Sequence, residues 1–153
     1  MDDPRLVVDF LNTLDVEDDT DVLADEQAWR RWTAERGLMP SPSKEARGVR
    51  TALRAAAGDP DAAAGAVRAA IDVELGPEGP ALVATGAVGA VLAAAARLAV
   101  LGDWKRVKIC PADDCRWAFY DQSRNRSRTW CSMSVCGNRE KARSWRKRAH
   151  SPE

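Results

Sequence analysis

The chain contains four cysteines, Cys110, Cys115, Cys131 and Cys136, and their spacing constrains its fold more than any other feature. The pattern is C-x4-C, then fifteen residues, then a second C-x4-C. Three chemistries use such thiols: a disulfide, a reactive nucleophile, or a metal site. Disulfides persist in oxidising compartments. The opening MDDPR instead sets two acids where an export signal would carry positive charge ahead of an apolar core, so a cytoplasmic protein is expected. A catalytic thiol wants a histidine partner, and the only histidine is His150, in the tail. Two close pairs joined by a loop of this length can bring four thiolates into a tetrahedron, the closed geometry of a structural zinc site. One zinc per chain is the expected cofactor, held by all four cysteines. With no coordination position open to water, it would support a fold rather than perform chemistry.

The residues around the thiols suggest a small module built on that metal. Trp117 and Phe119 alternate with Arg116, Ala118 and Tyr120, which predicts a short strand with one apolar face. "QSRNRSR" reads as a turn and "TWC" as the return strand, bringing Trp130 back beside Phe119. After Gly137, Asn138 is placed to cap a helix over "REKARSWRKRA". On that helix Ala142, Trp145 and Ala149 share a stripe, and Arg139, Arg143, Arg146 and Lys147 lie on the other side. Trp117, Phe119, Trp130 and Trp145 are expected mostly to form a miniature core.

Charge divides the chain. Residues 105–148 hold thirteen Lys and Arg against four acids, whereas residues 1–104 hold ten against eighteen. An acidic body with a basic C-terminal third is the pattern of a polyanion-binding module on a soluble domain. The candidate nucleic-acid contacts are Arg124, Arg126, Arg128, Arg139, Arg143, Arg146 and Lys147. Arg139 could equally brace the zinc loop or pair with an acid such as Asp121. The most apolar run, residues 86–96, falls short of the roughly 20 residues of a membrane span, so no membrane partner is expected.

The stretch "CPADDCRWAFYDQSRNRSRTWCSMSVCGNREKARSWRKR" resembles the zinc finger named for its Cys-Gly-Asn-Arg motif, here Cys136, Gly137, Asn138 and Arg139. The four cysteines, Asp121, Ser123 and Asn125, and the "WCSM" of residues 130–133 carry the likeness over about a quarter of the chain. "RLVVDFLNTLD", residues 5–15, and "GDWKRVKIC", residues 102–110, are similar to the opening and the joint of the ABATE domain that precedes this finger in the family. The resemblance implies a bacterial, stress-induced transcription regulator that binds DNA.

The first hundred residues read as helical on their own pattern. Leu6, Phe10, Leu11 and Leu14 recur at helical spacing, as do Ala28, Trp29 and Trp32 ahead of a stop at Gly37. Ser41-Pro42 and Asp59-Pro60 each mark a further helix start. "GPEGP" breaks the chain before a last alanine-rich helix at about residues 85–101, and "VEL" and "ALV" beside it could pair as a hairpin. Asp9 and Asn12, with Trp29 and Trp32, either line a pocket for a small-molecule effector or simply bridge helices and fill the core. No phosphate-binding loop, zinc-protease helix or nucleophile elbow is present, so no enzyme is expected.

The expected fold is mainly α: a helical domain over residues 1–103, then a treble-clef-like zinc module of β-hairpin and helix over 104–153. The expected function is a zinc-containing, DNA-binding transcription regulator whose helical domain senses a signal or forms a homodimer. The alternative is a zinc-stapled module for RNA or an acidic protein surface. Trp104, with no flexible linker around it, is expected to pack at the joint.

Overall fold

The computed structural model describes residues 2–149, which leaves His150 and the three residues after it outside the description. Among the described residues the chain forms five α-helices and three two-stranded antiparallel ribbons.

Helix α1 (Asp3–Leu11) starts where the Asp2 carboxylate accepts the Arg5 N–H and Pro4 occupies the first turn, and it buries Leu6, Val7, Phe10 and Leu11. Leu14 lies beyond this helix, in β1 (Leu14–Asp15), which pairs with β2 (Thr20–Asp21) across an acidic turn. Helix α2 (Glu26–Ala34) is capped by Asp25 and sets Trp29 and Trp32 against Phe10, with ring centroids about 6 Å apart and the two indoles stacked at 5.2 Å. Gly37, at φ +66°, ends this segment.

Helix α3 (Ser43–Ala56) begins after Pro42 without a side-chain cap. Ser41 serves other elements. Its hydroxyl accepts the Val88 N–H of helix α4 (Gly86–Val100), and its carbonyl accepts the Trp29 indole N–H at 2.8 Å. The small residues of α4 allow close packing against α1, and a Cβ at Gly89 would meet that of Ala84 at 2.8 Å. The expected hairpin forms as β3 (Asp72–Gly76) and β4 (Gly79–Val83), with Val73 opposite Leu82.

The helix expected from Asp59-Pro60 does not form. The Asp59 carboxylate is taken by Arg54 at 2.7 Å and by the Asp61 N–H, and the small residues 63–70, which include Gly65, are all exposed, so no packing supports a helix there.

A single helical turn at Trp104–Arg106 leads into β5 (Val107–Ile109), which pairs with β6 (Ala118–Tyr120) in the register Val107 to Tyr120 and Ile109 to Ala118. Cys110 and Cys115 therefore sit in the turn of this hairpin. The "TWC" segment forms no strand, because Lys108 of β5 holds Asp121 and the Arg126 and Arg128 carbonyls of the loop before it. Helix α5 (Asn138–Ala149) closes the described chain with no buried residue.

Two cores result. The larger joins α1, α2, α3 and α4 and continues into Val107, Ile109 and Ala118, with Trp104 packed against it. The smaller gathers Ala112 and Phe119 with Cys110, Cys115 and Cys136, and Trp130 packs on it. Strand neighbours face opposite sides, so β6 serves both cores, giving Ala118 to one and Phe119 to the other. The single apolar face expected for this strand is thus replaced by two buried ones. Trp117 is 37% exposed and Trp145 66% exposed, so neither completes the miniature core.

Side chains knit the hairpin to the helices. Asn12 donates to the Ala118 carbonyl at 3.0 Å and accepts the Ala118 N–H at 2.7 Å. The buried Arg54 guanidinium donates to the carbonyls of Leu11 and Arg116 at 3.0 and 2.8 Å, with Asp59 as its counter-ion. Among the described residues no helix is long and apolar enough to cross a membrane.

Candidate metal centre

The first thiol pair is held by a tight turn. The Cys110 N–H donates to the Trp117 carbonyl at 2.8 Å, and the N–H groups of Cys115 and Arg116 both donate to Ala112 at 3.1 Å. Arg116 takes the left-handed conformation at φ 53°, uncommon for a residue with a Cβ. Its guanidinium fixes that turn by donating to Asp61 at 2.7 Å and to the Pro111 carbonyl at 2.6 Å. In the second pair Cys131 enters, and Cys136 lies within, a π-helical turn at Met133–Gly137 that runs directly into α5. At Gly137 a Cβ would meet Met133 Sδ at 2.6 Å and the Trp130 ring at 3.3 Å, so a larger residue would have to displace the flexible Met133 side chain.

All four sulfurs lie within 4.8 Å of one another, with Cys115 to Cys131 at 3.5 Å and Cys131 to Cys136 at 3.6 Å. No cysteine is bridged to another. A tetrahedral zinc with Zn–S bonds of about 2.3 Å spaces its sulfurs about 3.8 Å apart, so the donor set fits the ion. Burial pushes the Cys115 thiol up to about 11 and, with its thiol neighbours, the Cys131 thiol higher still. Burial also acts on Cys110, but hydrogen bonds from the Cys131 and Ala112 backbone outweigh it and hold that thiol below its ordinary value. A bound cation would supply the counter-charge that several buried thiolates need.

The family comparisons agree with this geometry. The CGNR zinc finger model matches residues 106–149 and so takes in all four cysteines. The ABATE model, described as "Putative stress-induced transcription regulator", matches residues 4–109, more than half of the chain. The chain belongs to the ABATE family. No curated protein matches it.

Within the ABATE chain, the loop between the thiol pairs is organised by a buried acid. The wholly buried Asp121 accepts Lys108 Nζ at 2.7 Å and the N–H groups of Ser123 and Arg128 at 2.9 and 3.0 Å. Burial pushes its carboxyl up, but Lys108 and these donors more than reverse that and hold it well below the usual carboxylate range. Lys108 also donates to the carbonyls of Arg126 and Arg128, which ties the loop to β5.

This arrangement puts the seven candidate cations in different settings. Residues 123–126 form a turn, with the Arg126 N–H on the Ser123 carbonyl and φ 53° at Arg126, so Arg124, Arg126 and Arg128 do not share an extended side. Arg126 donates to the Gly102 carbonyl and lies 3.7 Å from Asp103, at the joint. Arg128 donates to the carbonyls of Trp130 and Cys131 and covers the Phe119 ring at 4.9 Å, bracing the second thiol pair. Arg139 pairs with Glu17 at 2.9 Å and Asp114 at 3.1 Å, not with Asp121, and these acids raise its pKa further. Arg143 pairs with Asp114 at 2.7 Å and Asp113 at 3.2 Å. Arg124, Arg146 and Lys147 are exposed.

The pocket suggested by Asp9, Asn12, Trp29 and Trp32 is not assembled. Trp29 is fully buried and Trp32 nearly so, Asp9 pairs with Arg36 at 3.2 Å, and Asn12 clamps β6. Sequence reasoning passed over Lys108, Asp114, Arg54 and Arg116. Only Asp121-x-Ser123 carried a local signal, as an acid that bonds the backbone two residues on.

Proposed function

We propose that this chain is a DNA-binding transcription regulator of bacterial type, cytoplasmic and without catalysis of its own. Its four cysteines hold one zinc per chain, and its N-terminal domain senses a signal or pairs two chains. The observation that carries the reading is α5, twelve residues with no buried side chain, in which six Lys and Arg stand against the single acid Glu140. Such a helix contributes nothing to a core. Its value lies in what it meets, and dense guanidinium charge meets phosphate by releasing counterions. Arg139 and Arg143 fasten its first half to the acids of the body, and Arg146, Lys147 and Arg148 in its last turn are exposed.

The test replaces Arg146, Lys147 and Arg148 with glutamine together and leaves Arg139 and Arg143 in place. Zinc content and thermal stability are expected to hold. Affinity for duplex DNA is expected to fall for all sequences, and the slope of log affinity against log salt to shrink by about one for each phosphate no longer neutralised. Unchanged affinity and slope would refute the role of α5, and stronger binding to structured RNA than to duplex DNA would refute the DNA reading.

A further inference from the structure

We propose that Cys131 is oxidised by hydrogen peroxide that reaches it through a cavity beside the metal centre, and that the product is a disulfide within the thiol set. The cavity has a volume of about 230 Å³, room for several water molecules, and Cys115, Cys131 and Cys136 all line it. Cys110 is outside this lining and fully buried. Of the four thiols Cys131 alone is half-buried, and the other three are buried. Its sulfur also has two near neighbours, Cys115 Sγ at 3.5 Å and Cys136 Sγ at 3.6 Å. One opening thus leads a small oxidant to the thiol best placed to pass its oxidation on.

The cavity wall selects among oxidants. Asp15, Glu17 and Asp18 line it and no Lys or Arg does, while Arg139 offsets Glu17 at 2.9 Å from outside the lining. The two other carboxylates add to the charge of the thiolates and repel an anionic reagent, whereas hydrogen peroxide is neutral in the physiological range. Trp117 and Val135 form the apolar side of the opening.

A thiol that coordinates a cation is deprotonated, so in the loaded chain Cys131 is a thiolate. Its sulfur attacks one peroxide oxygen: the S–O bond forms, the O–O bond breaks, and the departing hydroxide takes up a proton as water, leaving a sulfenic acid. The sulfur of Cys115 or Cys136 then attacks Cys131 Sγ, forming the S–S bond and expelling a second hydroxide, which also leaves as water. Two thiolates lose two electrons, and one peroxide with two protons becomes two waters. The chain keeps two of its four metal ligands, and the turn at Met133–Gly137, which runs directly into α5, loses anchorage. What this does to DNA binding rests on the function proposed above. The thiol chemistry does not, and its test uses no DNA, so the two readings fail separately.

The experiment adds hydrogen peroxide to the purified zinc-loaded chain, follows metal release with a chromogenic chelator, and locates oxidised cysteines by alkylation and peptide mass spectrometry. Metal release should track disulfide formation, with Cys131 in the first disulfide and Cys110 still reduced in that product. Val135→Phe, which narrows the opening from an exposed position, should slow the reaction about threefold or more. Asp18→Asn should leave the peroxide rate unchanged and speed attack by the dianion dithiobis(nitrobenzoate) about threefold at low salt. Cys110 in the first disulfide, or metal retained on four reduced thiols after excess peroxide, would overturn the site. Equally fast oxidation of Val135→Phe would overturn the route, and an unchanged dithiobis(nitrobenzoate) rate in Asp18→Asn would overturn the selection by charge.

Discussion

Asn12 gives both halves of its amide to Ala118, as a neighbouring strand would, and so extends hydrogen bonding across the joint where no strand is available. In Asn12→Ala those backbone groups lose their partners, at a cost of about 1–3 kcal/mol in chemical denaturation, while the metal content is expected to stay the same. The sequence showed a polar residue beside an apolar stripe, but it could not show that the far end of the chain supplies the partner. A second residue-scale prediction concerns Asp21. Burial raises its carboxyl pKa, but the hydrogen bonds and charge of Arg50 outweigh this and leave it below the usual 3.8. Its stabilisation is therefore present above that value and lost as pH falls through the lower, folded value. Asp21→Asn should be less stable than wild type by about 2 kcal/mol at neutral pH. Acid denaturation curves should show that deficit shrinking below pH 3.8. A deficit that stayed constant across this range would contradict the assignment.

Helices were legible wherever an apolar stripe had something to bury against. The stripes of α1 and α2, the small-residue run of α4 and the β3–β4 hairpin all follow from local pattern. The segment after Asp59 carried a start signal as good as that of α3, yet Arg54 competed for its capping carboxylate and no packing face waited for its alanines. The "TWC" strand failed for the same kind of reason, because Asp121 and Lys108 draw the preceding loop onto β5. Helix α5 was read correctly from its residues, but its support was not, since it rests on ion pairs rather than a buried face. Asp114→Asn, which weakens the hold on Arg139 and Arg143 together, should speed amide exchange across α5 by about an order of magnitude and leave α1 unchanged. Equal exchange in the variant would mean that α5 is held by something other than these pairs.

Across the whole molecule, the thiol spacing announced the metal centre, and the four sulfurs do converge; the joint was far less legible. It is built from one buried arginine, Arg54, and one asparagine, Asn12, whose partners are backbone carbonyls 43 to 106 residues away, and a carbonyl leaves no mark in a sequence. Metal binding can contribute about 10–16 kcal/mol to so small a unit, more than Phe119, Ala112 and Trp130 could replace. Cys131→Ser should therefore melt the smaller core and α5 in an NMR spectrum, while α1 to α4 and the Ala118 contact keep their dispersed signals through the larger core. The central claim is that a thiolate metal centre presents a basic helix to DNA. It is tested most directly by the affinity of the metal-loaded and chelated chain for duplex DNA, measured by fluorescence anisotropy across a salt series. The loaded chain should bind with log affinity falling linearly in log salt, and the chelated chain should bind at least tenfold more weakly with a shallower slope. Equal affinity with and without metal, or no binding at low salt, would contradict it.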